Sequence, residues 1–199
     1  MNLPNKLTVM RILLVFVILI VSFLNIPGEV FGISLKFLII EIIFIIASIT
    51  DHYDGYLARK NNQITTFGKF LDPIADKILI VTTMLLLTER GTLPAWIPII
   101  TIFREFLVSG YRLVEAKEGG NVVAANIWGK IKTVTQMIAI MLMLIDSNKF
   151  FAFTTATNLP MPLMILNILG SIMMLISVIA TIFSGYTYLK NGKDLFKDK

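Results

Sequence analysis

The sequence predicts an all-α integral membrane protein, a bundle of six transmembrane helices. Of its 199 residues, 56% are hydrophobic and only 16% are charged, whereas about a quarter of the residues of a soluble domain are charged. Six apolar segments each approach the roughly 20 residues that a helix needs to cross a bilayer. The chain has no cysteine and one histidine. This excludes disulfides, Cys-ligated zinc and a multi-histidine metal site.

Turn-forming residues separate the six predicted helices. The first apolar segment could be a signal peptide, but no small-residue cleavage site follows it, so we interpret it as a membrane helix. "NIPGE" follows this helix, "ERGTLP" separates the third from the fourth, "KEGGN" the fourth from the fifth, and "TNLPMP" precedes the sixth. The predicted helices span residues 7–24, 34–57, 71–88, 95–114, 125–145 and 163–189.

The basic residues are distributed unequally between the two ends of the predicted bundle. One side carries Lys6, Arg11, Arg59, Lys60, Lys69, Lys117, Lys130, Lys132, Lys190, Lys193, Lys197 and Lys199. The other side carries only Lys36, Arg90 and Lys149. The positive-inside rule therefore predicts that both termini are cytoplasmic. No internal repeat is visible, so residues 1–199 are predicted to form a single domain.

An acid-rich stretch, "DHYDGYLARKNNQITTFGKFLDPIADK", joins the second and third predicted helices. Asp51 and Asp54 are three residues apart and Asp72 and Asp76 are four apart, so each pair shares one helix face. Antiparallel helices joined by a short loop bring the two faces together. Four carboxylates at close range need compensation, which Mg²⁺ or Mn²⁺ would supply. Alternatively, these aspartates are helix caps and solvated loop charges, and Asp72 before Pro73 resembles an N-cap.

The same stretch resembles the signature of the CDP-alcohol phosphotransferases, D-x-x-D-G-x-x-A-R-x8-G-x-x-x-D-x-x-x-D. All eight fixed positions match, at Asp51, Asp54, Gly55, Ala58, Arg59, Gly68, Asp72 and Asp76. The resemblance implies a six-helix membrane enzyme, commonly a homodimer, that transfers a phosphatidyl group from CDP-diacylglycerol to an alcohol and releases CMP.

The resemblance also implies a role for each matched residue. Asp51, Asp54 and Asp72 would hold divalent metal, with two ions expected. Asp76 would be the general base on the acceptor hydroxyl and would also contact the second ion. Gly55, Ala58, Arg59 and Gly68 would lie on the CDP-binding side, with Arg59 at the phosphates.

The amino-terminal "NLPNKLTVMR" resembles the opening of bacterial phosphatidylglycerophosphate synthases, one branch of this family. Asn5, Thr8 and Arg11 fall at i, i+3 and i+6 on one side of the first helix, at the level of the aspartates. We assign Asn5 and Thr8 to the CDP-binding side. The alternative is an ordinary capped helix start with an interfacial arginine.

"REFLVSGYR" indicates which alcohol accepts the phosphatidyl group. Arg104 falls near the middle of the fourth helix, where a charge is costly unless it is paired or functional. Glu105 points to a different face, so it is not expected to neutralise Arg104. With Arg112, Lys130 and Lys132, Arg104 predicts a pocket for a phosphate on the acceptor, as in glycerol 3-phosphate. The segment also resembles R-E-F-x-x-[ST]-G-x-R of the phosphatidylglycerophosphate synthases. Alternatively, Arg112, Lys130 and Lys132 are topology charges near anionic lipid.

The resulting hypothesis is a multi-pass enzyme of the bacterial plasma membrane whose active site faces the cytoplasm. Its substrates would be CDP-diacylglycerol and glycerol 3-phosphate, and its products would be phosphatidylglycerophosphate and CMP. No nucleic-acid partner is expected. One alternative is a cardiolipin synthase, with the same chemistry and phosphatidylglycerol as acceptor. Another is a cation transporter, although the acids cluster at one face and no repeat is visible. The roles of Glu41 and His52 stay open.

Overall fold

The computed structural model describes residues 2–30, 32–60, 66–117, 127–154 and 160–191. Within these ranges the architecture is helical, as predicted, and each predicted helix is present. The helices are α1 (Leu3–Phe23), α2 (Leu35–Lys60), α3 (Thr66–Glu89), α4 (Trp96–Lys117), α5 (Ile127–Ile145) and α6 (Met161–Asn191). Two short antiparallel strands, β1 (Glu29–Val30) and β2 (Ile33–Ser34), and a 3₁₀ turn (Ala152–Thr154) complete the described elements.

The short hairpin between α1 and α2 was not predicted. Gly28 and Gly32 flank β1 with φ angles of 117° and 78°, a region that glycine enters without the steric cost of a Cβ. The second difference concerns α3, which begins at Thr66 and contains Pro73 in its interior. Asp72 is therefore not the N-cap of this helix, and the capping alternative is wrong for this residue.

Three described helices are long and apolar enough to cross a membrane: Asn5–Phe23, Ile127–Ile145 and Met161–Lys190. Charged residues interrupt the apolar segments of α2, α3 and α4. These three helices carry most of the candidate site. All six helices nevertheless present large apolar side chains at the surface, for example Ile46 on α2, Ile78 on α3 and Phe106 on α4.

The core forms where the helices pack in pairs, α1 along α2 and α5 along α6. The contact of α5 with α6 is close because Gly170 lacks a side chain: a Cβ there would lie 3.3 Å from Met143 Cγ. α3 packs against α1, and α4 packs against α6. This arrangement brings the starts of α1, α3 and α5 to one end of the bundle, together with the ends of α2, α4 and α6.

A polar network closes the opposite end of the bundle. Asn167 at the start of α6 donates a 2.6 Å hydrogen bond to Asp146 Oδ2, just beyond α5. Arg90, just beyond α3, donates a 3.1 Å hydrogen bond to the carbonyl of Leu144 and lies over the ring of Phe37. Burial lowers the pKa of the Arg90 guanidinium, and the negative charge of Asp146 partly offsets this lowering.

Candidate active site

The first helix contributes buried polar side chains to the end of the bundle where Asp51 and Asp72 lie. Asn5, Thr8 and Arg11 are all buried on the inner face of α1, and Arg11 has no exposed surface. Thr8 Oγ1 donates a 2.6 Å hydrogen bond to Asp72 Oδ1 on α3, and Arg11 Nη1 lies 2.7 Å from Asp51 Oδ1 on α2. α1 therefore links two of the signature aspartates. The sequence placed Asn5, Thr8 and Arg11 on one side of the helix, but gave Arg11 no role.

Asp76 lies one turn farther along α3, beside a small cavity. The cavity has a volume of about 20 Å³, room for roughly one water molecule. Polar side chains from α3, α4 and α5 line it: Asp76, Lys77, Thr101, Glu105, Lys132, Thr133 and Gln136. Asp76 itself forms no ion pair within 4.0 Å with a described cation.

Glu105 is the centre of an ion-pair cluster, here called the Glu105 cluster, formed with Lys77, Arg104 and Lys132. Its Oε1 accepts hydrogen bonds from Lys132 Nζ and from Arg104 Nη1, the latter at 2.8 Å. Its Oε2 lies 3.6 Å from Lys77 Nζ. The expectation that Glu105 would not neutralise Arg104 is therefore wrong. Adjacent helix positions differ by about 100° in direction, but both side chains are long enough to meet around the helix surface.

The two arginines of α4 converge on α6. Arg104 Nη2 donates a hydrogen bond to Ser184 Oγ, and Arg112 Nη2 donates one of 2.6 Å to the hydroxyl of Tyr188. The guanidinium carbons of Arg104 and Arg112 lie 6.0 and 5.4 Å from the Tyr188 ring centroid. Of the predicted acceptor residues, Arg104 and Lys132 share Glu105, and Arg104 and Arg112 share Tyr188. Arg112 and Lys130 are exposed.

The remaining predicted residues lie at the end of α2 or start of α3. Gly68 is buried near the start of α3. Asp54, Gly55, Ala58 and Arg59 belong to the last turns of α2, and their side chains, like that of His52, lie outside the described part of the chain. Glu41 is buried in the second turn of α2, and its Oε2 atom has no hydrogen-bond partner among the described residues.

The carboxylates can be compared with the needs of a divalent cation. Asp51, Asp72 and Asp76 supply the oxygen ligands that Mg²⁺ and Mn²⁺ prefer. Within the described residues, however, no three Asp, Glu or His side chains are close enough to hold an ion, and Arg11 and Thr8 already contact Asp51 and Asp72. The donor chemistry fits such a cation, and a metal role for these three aspartates and Asp54 stays a prediction.

A larger opening lies between α3 and α4, next to the Glu105 cluster. It has a volume of about 550 Å³ and is walled mainly by apolar side chains such as Ile78, Val81 and Phe106. Lys77, Glu105 and Ser109 form its polar part, and Lys77 Nζ donates a hydrogen bond to Ser109 Oγ. Charged groups of the site therefore lie beside a surface suited to hydrocarbon.

Comparison with known proteins gives a consistent result. The chain is 40% identical over 203 residues to CDP-diacylglycerol–glycerol-3-phosphate 3-phosphatidyltransferase of Bacillus subtilis, covering 98% of this chain and 97% of that protein. The protein of the same name from Rickettsia bellii is 35% identical, and the match covers 98% of this chain and 97% of that protein. The one from Escherichia coli is 39% identical, and the match covers 70% of this chain and 74% of that protein. The model of the CDP-alcohol phosphatidyltransferase family matches residues 1–183. The chain belongs to the CDP-alcohol phosphatidyltransferase family.

Proposed function

We propose that the protein transfers the phosphatidyl group of CDP-diacylglycerol to sn-glycerol 3-phosphate, giving phosphatidylglycerophosphate and CMP. The observation that carries this proposal is the group of cations beside Asp76, of which Lys132 is buried and Arg104 and Lys77 are partly buried. Lys132 and Lys77 line the same cavity as Asp76, and Arg104 joins them through Glu105. Such cations suit an acceptor that carries a phosphate near its reacting hydroxyl. The relatives that share this chain's full length carry the name of the same activity.

The CDP end of the lipid would bind at the signature residues. Asp51, Asp54, Asp72 and Asp76 would hold two Mg²⁺ or Mn²⁺ ions, which neutralise the diphosphate when bound. Asn5, Thr8, Gly55, Ala58, Arg59 and Gly68 would contact the CDP group. Arg11 and Thr8 support this region by fixing Asp51 and Asp72 relative to each other.

Asp76 would act on the acceptor as general base. Its carboxylate would accept the proton of the glycerol 1-hydroxyl, and that oxygen would attack the β-phosphorus of CDP-diacylglycerol. A new phosphorus–oxygen bond forms, the bond to CMP breaks, and CMP leaves with the electron pair. The absence of a described ion pair at Asp76 supports this role, because a carboxylate that is already paired is a weaker base.

The phosphate of glycerol 3-phosphate would bind Arg104, Arg112 and Lys132, with Lys130 at the exposed rim. Arginine suits this task because its planar guanidinium can donate two parallel hydrogen bonds to a phosphate. Ser184 and Glu105 hold Arg104 and Lys132 within the bundle, and Tyr188 holds the exposed Arg112. The hydroxyl would then lie toward Asp76.

In the membrane, we propose one domain of residues 1–199 with six spanning helices, both termini cytoplasmic and the active site facing the cytoplasm. The apolar side chains that all six helices expose support six spans, and the unequal distribution of basic residues supports the orientation. The bacterial origin of the relatives supports a plasma-membrane location. A homodimer is proposed from the family resemblance.

CMP release by the detergent-purified protein tests the proposal. CDP-diacylglycerol and Mg²⁺ or Mn²⁺ are supplied with glycerol 3-phosphate, serine, inositol, inositol phosphate or phosphatidylglycerol in separate reactions, and Asp76→Asn serves as the inactive control. We expect release with glycerol 3-phosphate alone, and none from the variant. Release with phosphatidylglycerol would instead indicate a cardiolipin synthase. Folded, metal-loaded protein that is inactive with every acceptor would favour the cation transporter.

A further inference from the structure

We infer that Glu105 is a positioning residue: it fixes Arg104 and Lys132 where they receive the phosphate of the acceptor, and it keeps the Lys132 ammonium away from Asp76. The inference rests on the proposed function and adds to it a carboxylate whose effect is exerted through neighbouring cations. Glu105 itself contacts neither reacting atom in this interpretation.

One carboxylate of α4 contacts cations on three helices. Lys77 extends from α3, Arg104 from α4 and Lys132 from α5, and the two oxygens of Glu105 reach all of them. Loss of the Glu105 charge therefore removes the shared partner that sets the positions of these side chains relative to one another. A neutral side chain could not hold three cations together, because like charges at this range repel.

Burial makes this pairing important for Lys132. The side chains of Lys132, Arg104 and Glu105 are only 9, 12 and 15% exposed, so none of these charges is well solvated by bulk water. A buried charge without a partner is energetically costly, so pairing with another nearby charge is favoured. Asp76 lines the same cavity as Lys132. Without Glu105, we expect Lys132 to pair with Asp76 and occupy the carboxylate that must accept the hydroxyl proton.

The charge balance separates this role from a purely structural ion pair. Three cations surround Glu105, and Asp76 adds the second carboxylate of the cavity. Even with both carboxylates ionised, the group has a net positive charge. A structural pair needs no excess charge, whereas excess positive charge strengthens the hydrogen bonds to a bound phosphate.

Steady-state kinetics of CMP release test the inference. For Glu105→Gln we expect the KM for glycerol 3-phosphate to rise by about tenfold or more, equivalent to one lost charge-assisted contact, and kcat to fall. The KM for CDP-diacylglycerol should change by less than about twofold, because this variant removes no contact on the CDP side. Glu105→Asp, which keeps the charge, should recover part of the loss.

Glu89→Gln is the matched control, since it removes an exposed carboxylate at the other end of α3 and should leave both KM values unchanged. Equal changes of both KM values in Glu105→Gln, or no change in either, would show that Glu105 has no positioning role.

A thermal double-mutant cycle gives a readout that needs no substrate. Melting temperatures are measured for Glu105→Gln, Lys132→Met and the double variant, and we expect the double variant to lose less than the sum of the single losses. Additive losses would contradict the pairing. Wild-type protein that is inactive with glycerol 3-phosphate would overturn the proposed function and the inference together. Active wild-type protein with an unaltered KM in Glu105→Gln would overturn the inference alone.

Discussion

Arg11 occupies an unusual position for an arginine. Its side chain has no exposed surface, although arginine is rarely fully buried unless it is paired. The pair is Asp51, whose side chain is 40% exposed, so one end of the interaction is enclosed and the other faces the open part of the site. Arg11 thus holds in place a carboxylate that we propose to bind metal.

Replacing Arg11 with methionine should lower CMP release while preserving most of the packing of α1. Loss of the ion pair with Asp51 should cost about 1–3 kcal/mol, between the values for exposed and buried pairs, which corresponds to roughly fivefold to a hundredfold in rate if the pair is needed in the transition state. CMP release at saturating and limiting Mg²⁺ measures the effect. Lys6→Met, an exposed change on the same helix, is the control, and equal activity of the two variants would contradict a role for Arg11.

At the level of helices, small residues decide how closely neighbours approach. A Cβ at Gly170 would lie 3.3 Å from Met143 Cγ and 3.4 Å from Leu142 Cβ, so α6 at this point already touches α5. Because lipid is as apolar as the helix surface, membrane helices associate through such close packing rather than through exclusion of water.

Gly170→Leu should therefore separate α5 from α6. Overpacking of a filled core costs about 1–3 kcal/mol, and Lys132 on α5 and Arg104, which bonds to α6, depend on this contact. We expect a lower melting temperature in detergent together with reduced CMP release. Gly110→Leu is the matched control, since a Cβ there meets nothing within 4 Å. Similar melting temperatures for the two variants would show that the α5–α6 contact tolerates a larger side chain.

The helices could be predicted from the sequence because apolar length and turn residues are local signals. The all-α class and each helix are confirmed, and every helix except α5 extends beyond at least one predicted end. The ion pairs could not be predicted in the same way. Glu105 was assigned to a different face from Arg104, because helical periodicity gives the direction of a side chain at its base and not how far its end can reach. Arg11 was similarly left without a partner, since its contact with Asp51 joins residues 40 positions apart.

The whole molecule combines a hydrocarbon-facing surface with charge at one end. Large apolar side chains are exposed on all six helices, which suits lipid, whereas the candidate site lies where α1, α3 and α5 begin. The basic residues of the sequence concentrate at the same end. Active site and positive charge should therefore face the same compartment, the cytoplasm, where soluble glycerol 3-phosphate would be available to the acceptor pocket.

Cysteine labelling can test this orientation cleanly, because the natural chain contains no cysteine. Thr154 and Lys190 are exposed; Thr154 precedes α6 and Lys190 lies in its last turn, so they mark opposite ends of this helix. In intact cells, a membrane-impermeant maleimide should label Thr154→Cys, while Lys190→Cys should react only after the membrane is permeabilised. Both variants must first retain CMP release, which shows that they are folded. The reverse labelling would place the active site outside the cytoplasm, and equal labelling of both in intact cells would show that α6 does not span the membrane.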